Sequence, residues 1–308
     1  MRVAILFPGQ GSQAAGMGEA FYVKYPAFAK RYLQVSALLG MDFRRLCQNE
    51  EGLLERTEYA QRAIVALSAL IFDHIKDQLA NHDLFLVGHS LGEYAALYAA
   101  GVFSLADCLD LVAFRGEASA QAAREHPGQM AAIIGGETAL VKALCEDISQ
   151  RGMLVQIANY NSPTQVVISG TDAGLHEFAA RMAETKAKRL VPLAVPGPFH
   201  TQLMQDAATK LQAKLATIKK DEPRYPVIMN HDARVLDLPA IDQVLSRQLV
   251  GPVLFEQTVT YLKQQGIRHF IEIGPGSVLT NLIKKQTEFD LAMAINNPDD
   301  IHILEVLQ

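Results

Sequence analysis

The chain has 308 residues, of which 49% are hydrophobic and 20% charged, with a formal net charge of −5 at pH 7. That length holds a full α/β core, or such a core with a smaller inserted domain, and the acidic balance excludes a global attraction to nucleic acid or to an anionic membrane, so a phosphate-bearing ligand needs local basic patches. Cys47, Cys108 and Cys145 are too scattered for a disulfide framework or a Cys-based zinc site, so no metal is expected, and with no signal peptide or membrane-length apolar run the expected location is the cytoplasm.

Residues 3–7, Val-Ala-Ile-Leu-Phe, form a continuous apolar run, as expected of a strand buried on both faces of a parallel sheet. Pro8-Gly9-Gln10-Gly11 turns the chain into helical material. Gly9-x-Gly11-x-x-Ala14 has the outline of a dinucleotide fingerprint, but that fingerprint needs an acidic residue about 20 positions on. Here the chain reads Ala29-Lys30-Arg31-Tyr32, basic and helical. The other reading places this glycine turn beside the serine turn at residues 88–92 and offers that site a backbone amide. Ile64, Leu67, Ile71, Ile75 and Leu79 recur at helical spacing and are read as core, not chemistry.

Leu84-Phe85-Leu86-Val87 reads as a buried strand and 91–100 as a helix rich in Ala and Leu, which puts Gly88-His89-Ser90-Leu91-Gly92 in the turn between them. The pattern G-x-S-x-G between strand and helix is a nucleophile elbow: small residues let the two backbones approach while the Ser90 hydroxyl points out of the bend. The Leu91 amide then stands at a helix N-terminus, able to hold a developing oxyanion. A serine N-cap between turn glycines is the plainer alternative. A helix over 105–122 follows and carries Arg115.

Further on, strands are expected at 129–134, 154–158, 165–169 and 189–193, with helices at 137–150 and 172–184. The order β-α-β-β-α-β is the ferredoxin-like arrangement. It predicts a ferredoxin-like subdomain over 125–195, inserted into a parallel-sheet catalytic domain made of 1–124 and 196–308. The chain returns through Val195-Pro196-Gly197-Pro198-Phe199-His200, which opens a helix running to about residue 219; a strand at 225–229, a strand and turn at 270–276 and a helix at 278–285 complete the reading.

An elbow serine needs a base, and in hydrolase-like sheets the histidine follows the serine in the chain. His126, His176, His200, His231 and His269 satisfy that order. His200 is preferred, because Pro196, Gly197 and Pro198 fix the backbone ahead of it, with His231 next. The side chain of His89 is expected to point away from Ser90. Asp232 and Glu272 are both available as a third member, and the sequence does not choose between them. Arg115 reads either as a helix-surface cation paired with a neighbouring carboxylate or as a clasp for a substrate carboxylate.

Phe7-Pro8-Gly9-Gln10-Gly11-Ser12-Gln13, Gly88-His89-Ser90-Leu91-Gly92-Glu93-Tyr94, Arg115-Gly116, Asn161-Ser162-Pro163, Val166-Val167-Ile168-Ser169-Gly170, His200 and Gly274-Pro275-Gly276 together resemble the malonyl-CoA:acyl carrier protein transacylases, over nearly the whole chain. The resemblance implies an α/β hydrolase-like core with the ferredoxin-like insertion. It implies Ser90 as the acylated nucleophile and His200 as its base, with His200 oriented by the main-chain carbonyl of Gln248. The amides of Gln10 and Leu91 would form the oxyanion hole and Arg115 would bind the malonyl carboxylate. No permanently bound cofactor is implied; malonyl-CoA is the substrate and an acidic, phosphopantetheinylated acyl carrier protein the partner, with no nucleic acid or membrane. Phe199 stands where many fatty-acid members have serine. A large apolar residue there resembles malonyl-selective acyltransferases of polyketide synthases, so a free-standing acyltransferase for a polyketide line is expected, with fatty-acid synthesis open. The basic residues Lys186, Lys188 and Arg189, or Lys284 and Lys285, would attract the carrier protein. The competing readings are an acyl hydrolase of the same fold that clears carrier proteins, and a nucleotide-binding or docking subunit with an inactive elbow.

Overall fold

The computed structural model describes residues 1–307. Its strands, in chain order, are β1 (Arg2–Phe7), β2 (Asp83–Gly88), β3 (Gln129–Ile134), β4 (Val155–Ser162), β5 (Gln165–Gly170), β6 (Arg189–Pro192), β7 (Val227–Ile228), β8 (His269–Ile273) and β9 (Leu291–Ile295). Five of them form a parallel sheet in the order β7-β2-β1-β8-β9, and the other four an antiparallel sheet in the order β4-β5-β3-β6. The second sheet draws all its strands from one continuous stretch, with helices Thr138–Gln150 and Asp172–Arg181 between them. The architecture is therefore the expected one: an α/β hydrolase-like core with a ferredoxin-like subdomain in the βαββαβ order.

The parallel sheet is covered on both faces, which is why β1 is apolar without alternation and fully buried from Val3 to Phe7. The long helix Thr57–Ile75 packs behind it, with Ile64, Leu67 and Ile71 essentially inaccessible. Each such side chain stabilises the fold by roughly 1.5–3 kcal/mol. The register pairs Phe7 with Gly88, so the turn after β1 and the turn after β2 leave the sheet side by side. That pairing brings Gly9 and Gln10 to Ser90.

Several element boundaries differ from the sequence reading, each for a local reason. The helix expected to run from His200 to about residue 219 is a short 3-10 turn, Gln202–Met204, followed by the helix Gln205–Leu215. Thr201 breaks it, since its hydroxyl accepts the Leu203 N–H and donates to the Pro198 carbonyl. The amphipathic helix stops at Ile75 and continues to Leu79 as a 3-10 turn. The strand expected at 154–158 extends to Ser162 and carries Asn159 and Asn161 toward the core domain. β9, an edge strand with a half-exposed pattern, had no counterpart in the reading.

Among the described residues no helix is long and apolar enough to cross a membrane. No group of three His, Cys, Asp or Glu side chains among them could hold a metal ion. All three cysteines are free and buried.

Candidate active site

Ser90 sits between β2 and the helix Gly92–Ala100 with φ at 51°, in the left-handed region that a residue with a side chain adopts at a cost of about 1–3 kcal/mol. The two flanking glycines are required. A Cβ on Gly88 would lie 1.9 Å from the Glu93 nitrogen, and one on Gly92 would lie 2.0 Å from the Phe7 carbonyl oxygen. The bend is held by Asn230, whose Oδ1 accepts the Ser90 N–H and whose Nδ2 donates to the Gly88 carbonyl. This places the serine hydroxyl out of the sheet, at the floor of a cavity of about 330 Å³ between the two sheets.

His200 meets that hydroxyl, with its Nε2 2.7 Å from Ser90 Oγ. On the other side of the ring, Nδ1 lies 2.8 Å from the Gln248 carbonyl oxygen and 3.2 Å from that of Gly251. Two carbonyl acceptors keep the proton on Nδ1, which leaves Nε2 as the lone pair facing the serine. His200 is buried, and burial, reinforced by the charge of Arg115, pushes its pKa down to about 3. A neutral imidazole next to a serine hydroxyl is a general base. The other candidate histidines are elsewhere: His126 and His176 are exposed, and His231 and His269 are half-buried without a bond to Ser90.

No carboxylate completes a triad. Asp232 accepts the Arg234 N–H in an exposed turn. Glu272 is buried, but its two oxygens accept the N–H groups of Leu279 and Thr280 at the start of the helix Val278–Ile283. Both are better described as local backbone partners.

Arg115 is buried and does not pair with the neighbouring Glu117, which instead meets Arg62. Its guanidinium donates to the amide oxygen of Gln61 at 2.8 Å, to that of Gln248 at 3.2 Å and to Ser90 Oγ at 3.4 Å. No carboxylate bonds it directly, Glu93 acting on its charge only from beyond Gln248, so the guanidinium faces the hydroxyl in a position suited to a ligand carboxylate. The Gln61 NH2 in turn donates to Gln10 Oε1, and the Gln10 NH2 to Thr57 Oγ1. The helix read as pure core therefore also supplies a chain of amides that holds the arginine. Apolar periodicity picks out only the hydrophobic members of a packed face, and Gln61, three residues before Ile64, is a buried polar one.

Gln10 and Leu91 line the cavity, and their backbone N–H groups have no acceptor among the described residues. Two free amides flanking a nucleophile are the parts of an oxyanion hole. Phe199 lines the wall next to His200 and is 8% exposed. His89 lines the cavity as well, but its Nε2 lies 2.9 Å from Asn161 Oδ1 on β4 and its ring packs edge-on against Phe255, so it is turned away from the hydroxyl. Asn161 and Asn230, neither of which stood out as a site residue in the sequence, tie the elbow to β4 and to the loop after β7.

Of the basic residues expected to attract a partner, Lys188, Arg189, Lys284 and Lys285 are exposed, while Lys186 pairs with Glu137 at 2.5 Å.

A family model for the acyl transferase domain matches residues 5–297. The malonyl CoA-acyl carrier protein transacylase of Bacillus subtilis (strain 168) is 39% identical over 305 residues, covering 98% of this chain and 96% of its own. Among solved structures, the malonyl-CoA:acyl carrier protein transacylase of Xanthomonas oryzae pv. oryzae superimposes with a TM-score of 0.92 at 39% identity, covering 99% of this chain and 98% of that one. A malonyl-transacylase in complex with its type II polyketide-synthase acyl carrier protein superimposes with a TM-score of 0.94 at 35% identity, covering 99% and 100%. Fold, elbow and full-length similarity agree, and the chain belongs to the malonyl-CoA:acyl carrier protein transacylase family of acyl transferases.

Proposed function

We propose that the protein transfers a malonyl group from malonyl-CoA to the phosphopantetheine thiol of an acyl carrier protein through an acyl-serine intermediate. One observation carries this reading: the Ser90 hydroxyl lies between a neutral imidazole at 2.7 Å and, at 3.4 Å, a buried guanidinium whose hydrogen-bond partners are all neutral. Nucleophile activation and recognition of an acyl carboxylate thus meet at one oxygen.

Ser90 Oγ attacks the thioester carbonyl while His200 Nε2 takes its proton. The developing oxyanion is received by the amides of Gln10 and Leu91, each such donor being worth about 3 kcal/mol in comparable sites. The C–S bond breaks, and the proton on His200 leaves with the CoA thiol. The thiol of the carrier protein then gives its proton to His200 and attacks the acyl-serine, regenerating the hydroxyl. One thioester replaces another, so the reaction runs both ways. The Gln248 carbonyl holds His200 in the productive tautomer, Arg115 grips the malonyl carboxylate, and Phe199 narrows the space beside the α-carbon. No resident cofactor takes part, and the cytoplasm, where CoA thioesters and carrier proteins occur together, is the fitting location.

In this reading 1–124 with 196–308 act as the catalytic domain and 125–195 as a subdomain that closes the cavity from above. The relatives fit both fatty-acid and polyketide synthesis, and Phe199 favours a free-standing role on a polyketide line. An acyl hydrolase for neutral chains has no use for the buried charge of Arg115, whose desolvation is costly.

Incubation with malonyl-CoA followed by mass spectrometry tests the proposal. A malonyl adduct on Ser90 that is discharged by holo carrier protein is expected. Its absence, or faster release of free acid from acetyl and butyryl thioesters than malonyl transfer, would overturn it.

A further inference from the structure

Glu93 lies in the first turn of the helix Gly92–Ala100, fully buried, and has no part in the transfer described above. One of its oxygens accepts the backbone N–H of Asn230, and the other accepts the side-chain amide of Gln248. A carboxylate only accepts, so Gln248 must turn its NH2 toward Glu93. The same NH2 also reaches the Ser90 carbonyl at 2.8 Å. The Gln248 side-chain oxygen is thereby forced to the opposite side, where it accepts from Arg115 Nη2 at 3.2 Å.

This amide has only one workable orientation. Reversed, it would set an oxygen against the Glu93 carboxylate and the Ser90 carbonyl, and an NH2 against a guanidinium. Each buried mismatch costs a desolvation penalty with nothing returned.

We propose that Glu93 is a positioning residue that acts through Gln248 to hold the Arg115 guanidinium beside Ser90, and so sets the preference for an acyl donor that carries a carboxylate. The proposal rests on the reading of Arg115 as the partner of that carboxylate. Burial outweighs the Asn230 and Gln248 hydrogen bonds and the nearby Arg115 charge and pushes the Glu93 carboxyl up to about 8, while the N–H donors facing both of its oxygens fix how it is used. A proton on either oxygen would displace a donor already in place.

Glu93→Gln keeps the shape and the acceptor for Asn230 but puts NH2 against NH2 at Gln248. Gln248→Met keeps the main-chain carbonyl that orients His200 and removes the side-chain amide, so it reads the same link from the far side should Glu93→Gln fold poorly. The experiment measures the efficiency of Ser90 acylation by malonyl-CoA and by acetyl-CoA, as adduct mass against time over a range of donor concentrations, in the unchanged chain, both variants and Arg115→Ala. Both variants are expected to lower the malonyl-to-acetyl ratio by about tenfold, through weaker malonyl-CoA binding. A purely structural role would lower both donors together, and an unchanged ratio in both variants would overturn the proposal. If Arg115→Ala collapses the ratio and the other two do not, the Glu93 inference alone falls; an unchanged ratio in Arg115→Ala would sink the reading of Arg115 along with it.

Discussion

The side chain of Asn230 bridges both ends of the Ser90 bend, accepting the Ser90 N–H at 2.5 Å and donating to the Gly88 carbonyl at 2.7 Å. Both bonded groups are main-chain atoms of a bend with a left-handed serine; the Gly88 carbonyl is buried and the Ser90 N–H part-buried, so the carbonyl at least is cut off from water when the amide is removed. Asn230→Ala should therefore destabilise the fold by about 1–3 kcal/mol, the cost of leaving one buried polar group unpaired. Urea unfolding of the two chains checks it. A loss below about 0.5 kcal/mol would mean that the bend holds itself and the bridge is idle.

Arg115 has a more selective effect in prospect. Its guanidinium is held by neutral amides, so removing it takes away a charge that no protein carboxylate bonds directly. Arg115→Ala should cut acylation by malonyl-CoA by at least about 30-fold, in line with the truncation of a buried charged partner. Acylation by acetyl-CoA should persist or rise, since a neutral acyl group gains from the loss of a desolvated cation. Steady-state rates with the two donors decide it, and equal losses would make the arginine a structural residue.

The residues that punctuate the chain made much of this site legible in advance. Gly88 and Gly92 define the elbow around Ser90 through steric needs that only glycine satisfies, and the prolines before His200 mark a fixed loop. Ferredoxin-like order was readable because each of its strands is a compact apolar run. Gln61, Asn161 and Asn230 were not readable, because polar residues at long sequence separation gain their roles only when the register of β1 with β2 and the docking of β4 bring them together. Glu272 stayed open for a related reason: an acid at a strand end can be a site residue or a local charge, and only the helix whose N–H groups it accepts decides for the latter.

Burial gives His200 a distinctive pH signature. Its pKa falls from the ordinary 6.5 to about 3 in the folded chain, so between those values the unfolded chain binds the extra proton. Stability from this group is complete above pH 6.5 and is lost as the pH falls toward 3. The same neutrality keeps the base available, so acylation of Ser90 should lose no more than about twofold between pH 7 and 5.5. Rapid-quench acylation across that range tests the point. An acid limb centred near 6.5 would show an imidazole that titrates like one in water.

The wall formed by Phe199 concerns the acyl group and not the chemistry. Its ring is 8% exposed and lines the cavity next to His200, and in the proposed transfer it fills the space an α-methyl branch would enter as the donor approaches Ser90. Phe199→Ser should raise acylation by methylmalonyl-CoA relative to malonyl-CoA by about tenfold, the discrimination typical of one methyl group in a fitted pocket. Competition between the two donors, read as the ratio of adduct masses on Ser90, isolates this from any general loss of activity. Met130 and Val167 line the same cavity from the second sheet. If the ratio stays where it was, the branch is being excluded by that opposite wall, and selectivity belongs to the subdomain instead of to the histidine loop.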